Sequence, residues 1–148
     1  MDASRLAEWL PLMWESYRQD LISAGESAKS ADKNVEHHKR LLFDEGRPAA
    51  GQHILDVFDD DERVGVLWLS QQNGGTSAEW YVYDVVVEPD HRGEGYGRAT
   101  MQAGEDFARR HGGQSLALNV FGNNTVARRL YESMDYQIVS QSMKKSLI

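Results

Sequence analysis

The stretch Val85-Val86-Val87-Glu88-Pro89-Asp90-His91-Arg92-Gly93-Glu94-Gly95-Tyr96-Gly97-Arg98 decides how this chain is read. Three β-branched residues in a row close a buried strand. Pro89 lacks an amide and stops the ladder. Glycines then alternate through a short loop that opens a helix. Gly95 and Gly97 permit backbone dihedrals and close approaches that side chains forbid. Free amides at the helix start converge on one small volume, and that geometry binds phosphate oxygens. Arg92 and Arg98 can add positive charge there. The glycines alone would also suit a purely structural turn.

The spacing excludes the commonest phosphate loops. A Walker loop ends in Gly-Lys-Ser/Thr, and no lysine lies here. The dinucleotide fingerprint is G-x-G-x-x-G, whereas Gly93, Gly95 and Gly97 alternate.

Outward from this loop, Glu79 to Glu88 is the strongest strand signal, rich in aromatic and β-branched residues. Upstream, residues 4 to 24 read as a helix on Leu6, Leu10, Met13, Tyr17 and Leu21, with Ser4 as N-cap, Gly25 as stop and Pro11 as a kink or break. A more polar helix follows over residues 29 to 45. Gly51 to Asp59 and Arg63 to Ser70 read as a hairpin across the acidic turn Asp59 to Glu62. Downstream, helices over Gly97 to His111 and Asn124 to Met134 alternate with strands over Ser115 to Val120 and Tyr136 to Met143. This order predicts an α/β (α+β) fold with mixed pairing, as a single domain over residues 1–148.

Composition narrows the function classes. The 148 residues are 41% hydrophobic and 26% charged, as in a folded globular domain. The absence of cysteine excludes disulfides, thiolate metal sites and cysteine nucleophiles. No signal peptide or long apolar run stands out, which predicts a soluble, cytoplasmic chain that uses no membrane. The formal charge of -7 argues against nucleic-acid binding and favours a cationic acceptor. No H-E-x-x-H or calcium-loop pattern occurs, and no metal is expected.

With the loop Arg92-Gly93-Glu94-Gly95-Tyr96-Gly97 in view, the chain resembles the GNAT superfamily of N-acetyltransferases, whose pyrophosphate loop reads Arg/Gln-x-x-Gly-x-Gly/Ala. A second stretch carries the same resemblance. Asn124-Thr125-Val126-Ala127-Arg128-Arg129-Leu130-Tyr131 follows the family's Asn-x-x-Ala-x-x-Leu-Tyr, and Asp135-Tyr136 replaces its usual Gly-Phe. The two motifs span roughly residues 79 to 143. The family's leading strand is missing, because this chain begins almost directly in a helix. That leaves a sheet edge a second copy could cover, so a homodimer is expected.

The resemblance implies acetyl-CoA as donor cosubstrate and an amine as acceptor, either a small molecule or a protein N-terminus. Backbone groups of Val85 and Val87 would hold the pantetheine arm, and an amide near Val86 or Val87 would face the oxyanion. Amides from Gly93 through Glu94, Gly95, Tyr96 and Gly97 to Arg98 would hold the pyrophosphate, with Arg92 beside them. Asn124 would position the pantetheine. Tyr131 matches the family's acid tyrosine, or else packs its helix on the sheet. Asp84, Glu79 or a water chain would act as base. A regular strand puts Glu79 and Asp84 on opposite faces, and a bulge would change that parity. A non-catalytic acyl-CoA sensor of the same fold is the alternative. His37 and His38 read as surface residues, one of which can border the acceptor.

Overall fold

The computed structural model describes all residues, Met1–Ile148. The chain begins with two helices, α1 (Ala3–Ser23) and α2 (Ala28–Leu42). Asp2, not Ser4, caps α1: its backbone is extended and its carboxylate accepts the Arg5 amide at 2.8 Å. Pro11 does not divide the helix into two elements. Pro11 and Ala7 both face solvent, so the carbonyl that loses its partner stays hydrated. Gly25, at φ +101°, ends the segment as expected.

The second helix stops at Leu42, three residues earlier than its sequence suggests. Residues 43–48 instead form a small hairpin, β1 (Phe43–Asp44) against β2 (Arg47–Pro48). Its two central residues, Glu45 and Gly46, both have positive φ, which is the turn chemistry of a two-residue hairpin.

The main sheet follows. β3 (Gln52–Asp59) and β4 (Glu62–Gln71) form the expected antiparallel hairpin. A single helical turn, α3 (Gln72–Gly75), leads to β5 (Glu79–Val87), which pairs antiparallel with β4. A 3-10 turn at Pro89–His91 and helix α4 (Tyr96–Arg110) cross over to β6 (Ser115–Leu118), parallel to β5. Helix α5 (Thr125–Ser133) completes the elements. The order β3-β4-β5-β6 is the mixed sheet that the sequence predicts, with helices in place of a leading strand. No helix is long and apolar enough to cross a membrane.

The expected last strand, Tyr136 to Met143, does not form. Asp135 takes φ +67° and turns the chain after α5. The neighbours Ile138 and Val139 are both exposed, so no face of the segment is covered in alternation. Lys144 instead donates to the Gly25 carbonyl at 3.2 Å, which brings the tail to the α1–α2 turn.

Each sheet face buries its own core. On one, α1 and α2 place Leu6, Trp9, Trp14 and Val35 against Ile54, Val66 and Trp68. On the other, Met101 and Ala108 of α4 pack on Leu67, Leu69, Trp80 and Val82, joined by Tyr131 and Met134 from α5 and its end. Trp68 and Trp80 are only 2% and 1% exposed, so the central strands are covered on both sides by large side chains. At about 25 cal/mol per Å² of apolar surface, such rings dominate the packing energy. Gly104 lets α4 approach closely, since a Cβ there would lie 3.0 Å from Leu67 Cδ2.

Candidate active site

The ladder between β5 and β6 runs from Glu79↔Ser115 to Val82↔Leu118 and stops. Beyond it the two strands are unpaired, and a gap opens in the sheet. The opening coincides with a bulge. Leu69 pairs with Val82 and Trp68 with Asp84, which leaves Tyr83 without a partner. Cross-strand partners share a face, so Asp84 joins Trp68 on the α1/α2 side.

Strand alternation sets which backbone groups face the gap. The Glu88 amide bonds the Val64 carbonyl on β4 at 2.8 Å. Two residues back, the Val86 amide turns the same way, whereas those of Val85 and Val87 turn toward the gap. The Val87 carbonyl accepts from Arg92 Nε at 3.1 Å, which ties the glycine loop to the strand end.

The loop itself is open. Gly95 is the N-cap of α4, at φ +86°, and no side chain caps the helix. The amides from Gly93 to Arg98 donate to no backbone carbonyl, so they form an uncompensated donor set at a helix N-terminus. A Cβ at Gly93 or Gly95 would meet nothing within 4 Å, so these glycines serve the dihedral and an unobstructed surface. Gly97 has a different reason, since its Cβ would lie 3.3 Å from Leu130 of α5. The framework around the loop is anchored by side chains. The Tyr96 hydroxyl donates to Asp59 at 2.5 Å, and that bond raises its pKa to about 12. His91 lies 3.1 Å from Glu62 and 3.7 Å from Glu94. Arg98 donates to Ser133 of α5 at 2.6 Å. Glu94 is exposed on the loop.

On the α1/α2 side, the gap opens into a cavity of roughly 410 Å³. Its floor is β5 from Tyr81 to Val85. One wall comes from α1 and α2, and the other from Asn119 to Phe121 and the α5 residues Ala127 and Tyr131. Asn124 lines it too, while its side chain caps α5 by accepting the Ala127 amide at 3.2 Å. Asp84 lies at the centre of this arrangement. Burial pushes its carboxyl from 3.8 to about 6, the charge of Asp20 adds to the rise, and the Val85 amide opposes it. Burial also raises Tyr131, and the Asp84 charge contributes, so the phenol stays protonated at neutral pH. Tyr131 is therefore near Asp84 as well as packed on the sheet.

Glu79 is placed differently. The bulge puts it on the same face as Asp84, but it is exposed at the other end of β5, beside Ser115, and does not line the cavity. Sequence reading also missed several lining residues. Tyr17, Asp20, Glu26 and Asn34 gave no motif signal. Their common wall exists only because α1 and α2 pack side by side over β5. His38 belongs to the same wall: its Nδ1 lies 2.8 Å from the Asn34 carbonyl, and its ring packs edge-on against Tyr17 and Tyr83. His37 stays exposed. Spacing gave one usable signal, because Met13, Tyr17 and Asp20 follow one another on a single helical face.

The profile of the acetyltransferase (GNAT) family matches residues 6–136. The chain is 28% identical over 131 residues to the uncharacterised N-acetyltransferase YdgE of Bacillus subtilis, covering 88% of this chain and 83% of that one. It is 27% identical over 152 residues to the uncharacterised N-acetyltransferase YycN of the same organism, covering 99% and 96%. The crystal structure of YycN superposes with a TM-score of 0.90 over 100% of this chain and 96% of that chain, at 25% identity. A shorter match, 40% identical over 92 residues, is to streptothricin acetyltransferase of Streptomyces lavendulae, spanning 62% of this chain and 48% of that protein.

Proposed function

This chain belongs to the acetyltransferase (GNAT) family, whose fold carries an acetyl-CoA site, and we propose that it moves an acetyl group from acetyl-CoA to a primary amine by direct attack. One observation carries the reading. The unpartnered amides from Gly93 to Arg98 follow directly on the strand that edges the β5–β6 gap, and the gap opens into a cavity lined by Asp84 and Tyr131.

In this mechanism the loop amides and the α4 N-terminus bind the pyrophosphate. The pantetheine arm enters the gap, where Val85 and Val87 offer their backbone groups in sheet fashion and Asn124 borders it. The Val86 amide serves β4 and the Val85 amide favours the Asp84 carboxylate, which leaves Val87 to face the developing oxyanion. The amine nitrogen bonds to the thioester carbonyl carbon as its proton passes to Asp84. A carboxyl near 6 is ionised at neutral pH yet basic enough to take that proton once attack makes the nitrogen acidic. The carbon–sulfur bond then breaks, and the thiolate takes the Tyr131 proton. The proton held by Asp84 then returns to the phenolate through water in the site, so a neutral amine yields the acetamide and the CoA thiol with both residues reset and no net proton; an amine that arrives as its ammonium first gives one proton to solvent.

The test is thiol release from acetyl-CoA across a panel of amines, beside calorimetric titration with CoA. Turnover that falls with the acidic limb of Asp84 supports the reading. CoA binding with no turnover on any amine would replace it with an acyl-CoA sensor, and no CoA binding would remove it.

A further inference from the structure

The cavity on the α1/α2 side runs from the β5–β6 gap to the α1–α2 connection, and its carboxylates face no lysine or arginine. Those carboxylates are Asp20, Glu26 and Asp84. Asp84 stands at the reaction end, next to Tyr131. Glu26 stands on the α1–α2 connection. It is held rigidly there: its Oε2 accepts from Ser30 Oγ at 2.9 Å and from Asn34 Nδ2 at 2.8 Å. Its Oε1 receives no donor from the protein and remains available.

Asp20 lies between the two ends, three residues beyond Tyr17 on the same face of α1. Its charge raises Asp84, and that of Glu26 acts on Tyr17. The three carboxylates come from β5, α1 and the α1–α2 connection, so they line the cavity at separate places. Tyr17 and Tyr81 form ring surface in the cavity, and ring faces attract a cation once water is displaced. A cation already sits at the distal rim. Lys144 places its ammonium on the Gly25 carbonyl, adjacent in sequence to Glu26.

We infer that the acceptor is a dication, a primary alkylamine with a second ammonium held at Glu26 and Asp20 while the first reacts beside Asp84. This rests on the acetyl-transfer reading and names its substrate class. An α-amino acid fits less well, because its carboxylate would enter a lining with three carboxylates and no lysine or arginine, whose one imidazole, His38, has its Nδ1 on the Asn34 carbonyl. A peptide N-terminus brings no second charge to the distal end.

The test compares 1,4-diaminobutane and 1,5-diaminopentane with n-butylamine and n-pentylamine as acceptors, in wild type and in Glu26→Gln. A charge-assisted hydrogen bond from the second ammonium lowers KM by about tenfold or more. The diamines should therefore exceed the matched monoamines in kcat/KM by that factor. Glu26→Gln should close the gap by raising the diamine KM at unchanged kcat, and leave the monoamines as they were. If Glu26→Gln fails to fold, Asp20→Asn should likewise raise the diamine KM over the monoamine KM, while its lost charge moves the acidic limb of Asp84 to lower pH equally for both acceptors.

Equal use of diamine and monoamine, or an equal loss of both in the variants, would overturn the inference and leave acetyl transfer standing. Calorimetry of 1,5-diaminopentane into the CoA-loaded protein separates the two claims. Saturable binding lost in Glu26→Gln but without any transfer would support the dication site and break the acetyl-transfer reading.

Discussion

The loop from Gly93 to Arg98 presents backbone amides, whereas the wall under α1 and α2 presents side chains such as Tyr17, Glu26 and His38. A pyrophosphate is common to every acyl-CoA, so a backbone cradle can bind it without regard to the acyl group or acceptor. Backbone recognition needs only dihedrals, and glycines at fixed spacing supply them. An acceptor is particular, and its recognition needs charge and shape from residues drawn out of distant elements. Asp84 lies where the two regions meet, on the bulge that ends the β5–β6 ladder.

Four substitutions break or sharpen this contrast. Asp84→Asn has the largest expected effect, a loss of kcat on the order of 10²–10⁴ with CoA affinity unchanged. In the wild type, kcat/KM should fall as pH drops through about 6, because the base must be ionised. The same variant should be more stable. The Asp84 carboxyl is raised in the fold, so its buried charge destabilises the native state above pH 6, and that penalty fades as pH falls toward 3.8. Removing the charge should stabilise the protein by up to about 3 kcal/mol at pH 8, and by little at pH 4, in urea melts. A variant that loses activity together with stability at pH 8 would argue for a structural Asp84.

Tyr131→Phe comes next, with kcat lower by about 10²-fold. The loss should shrink with acyl donors whose leaving thiol is more acidic. An equal loss with every donor would leave Tyr131 as packing. Glu26→Gln, tested as above, touches only the acceptor side. Gly95→Ala probes the loop side and should have the smallest effect on chemistry. At φ +86° an alanine is strained by about 1–2 kcal/mol. CoA should bind more weakly by calorimetry, with kcat at saturation and the preference for diamines retained. A changed acceptor preference would show that the two regions are coupled.

These differences track what a sequence can express. The loop was legible because its chemistry is local: Pro89, the alternating glycines and the adjoining helix start are consecutive residues. Tyr131 and Asn124 stood out through the family resemblance, whose second motif is likewise a run of consecutive residues, and both line the cavity. Glu45-Gly46 was a local turn signal that was passed over, so the helix before it read three residues too long. The segment from Tyr136 to Met143 was misread as a strand because a strand needs a partner edge as well as β-forming residues, and composition does not state which edge is free. His38 read as surface because neighbouring rings from α1 and β5 were not visible from its own helix.

By itself the sequence determined the βαβ core, the open glycine loop and the place of the tyrosine helix, since each depends on dihedrals and periodicity within a few residues. The tertiary structure decided the register. The bulge at Tyr83 turns Asp84 into the cavity, burial shifts its carboxyl toward neutrality, and packing α1 beside α2 over β5 assembles the cavity wall. Those outcomes depend on cross-strand pairing and on exclusion of water by residues remote in the chain, and no local pattern encodes either.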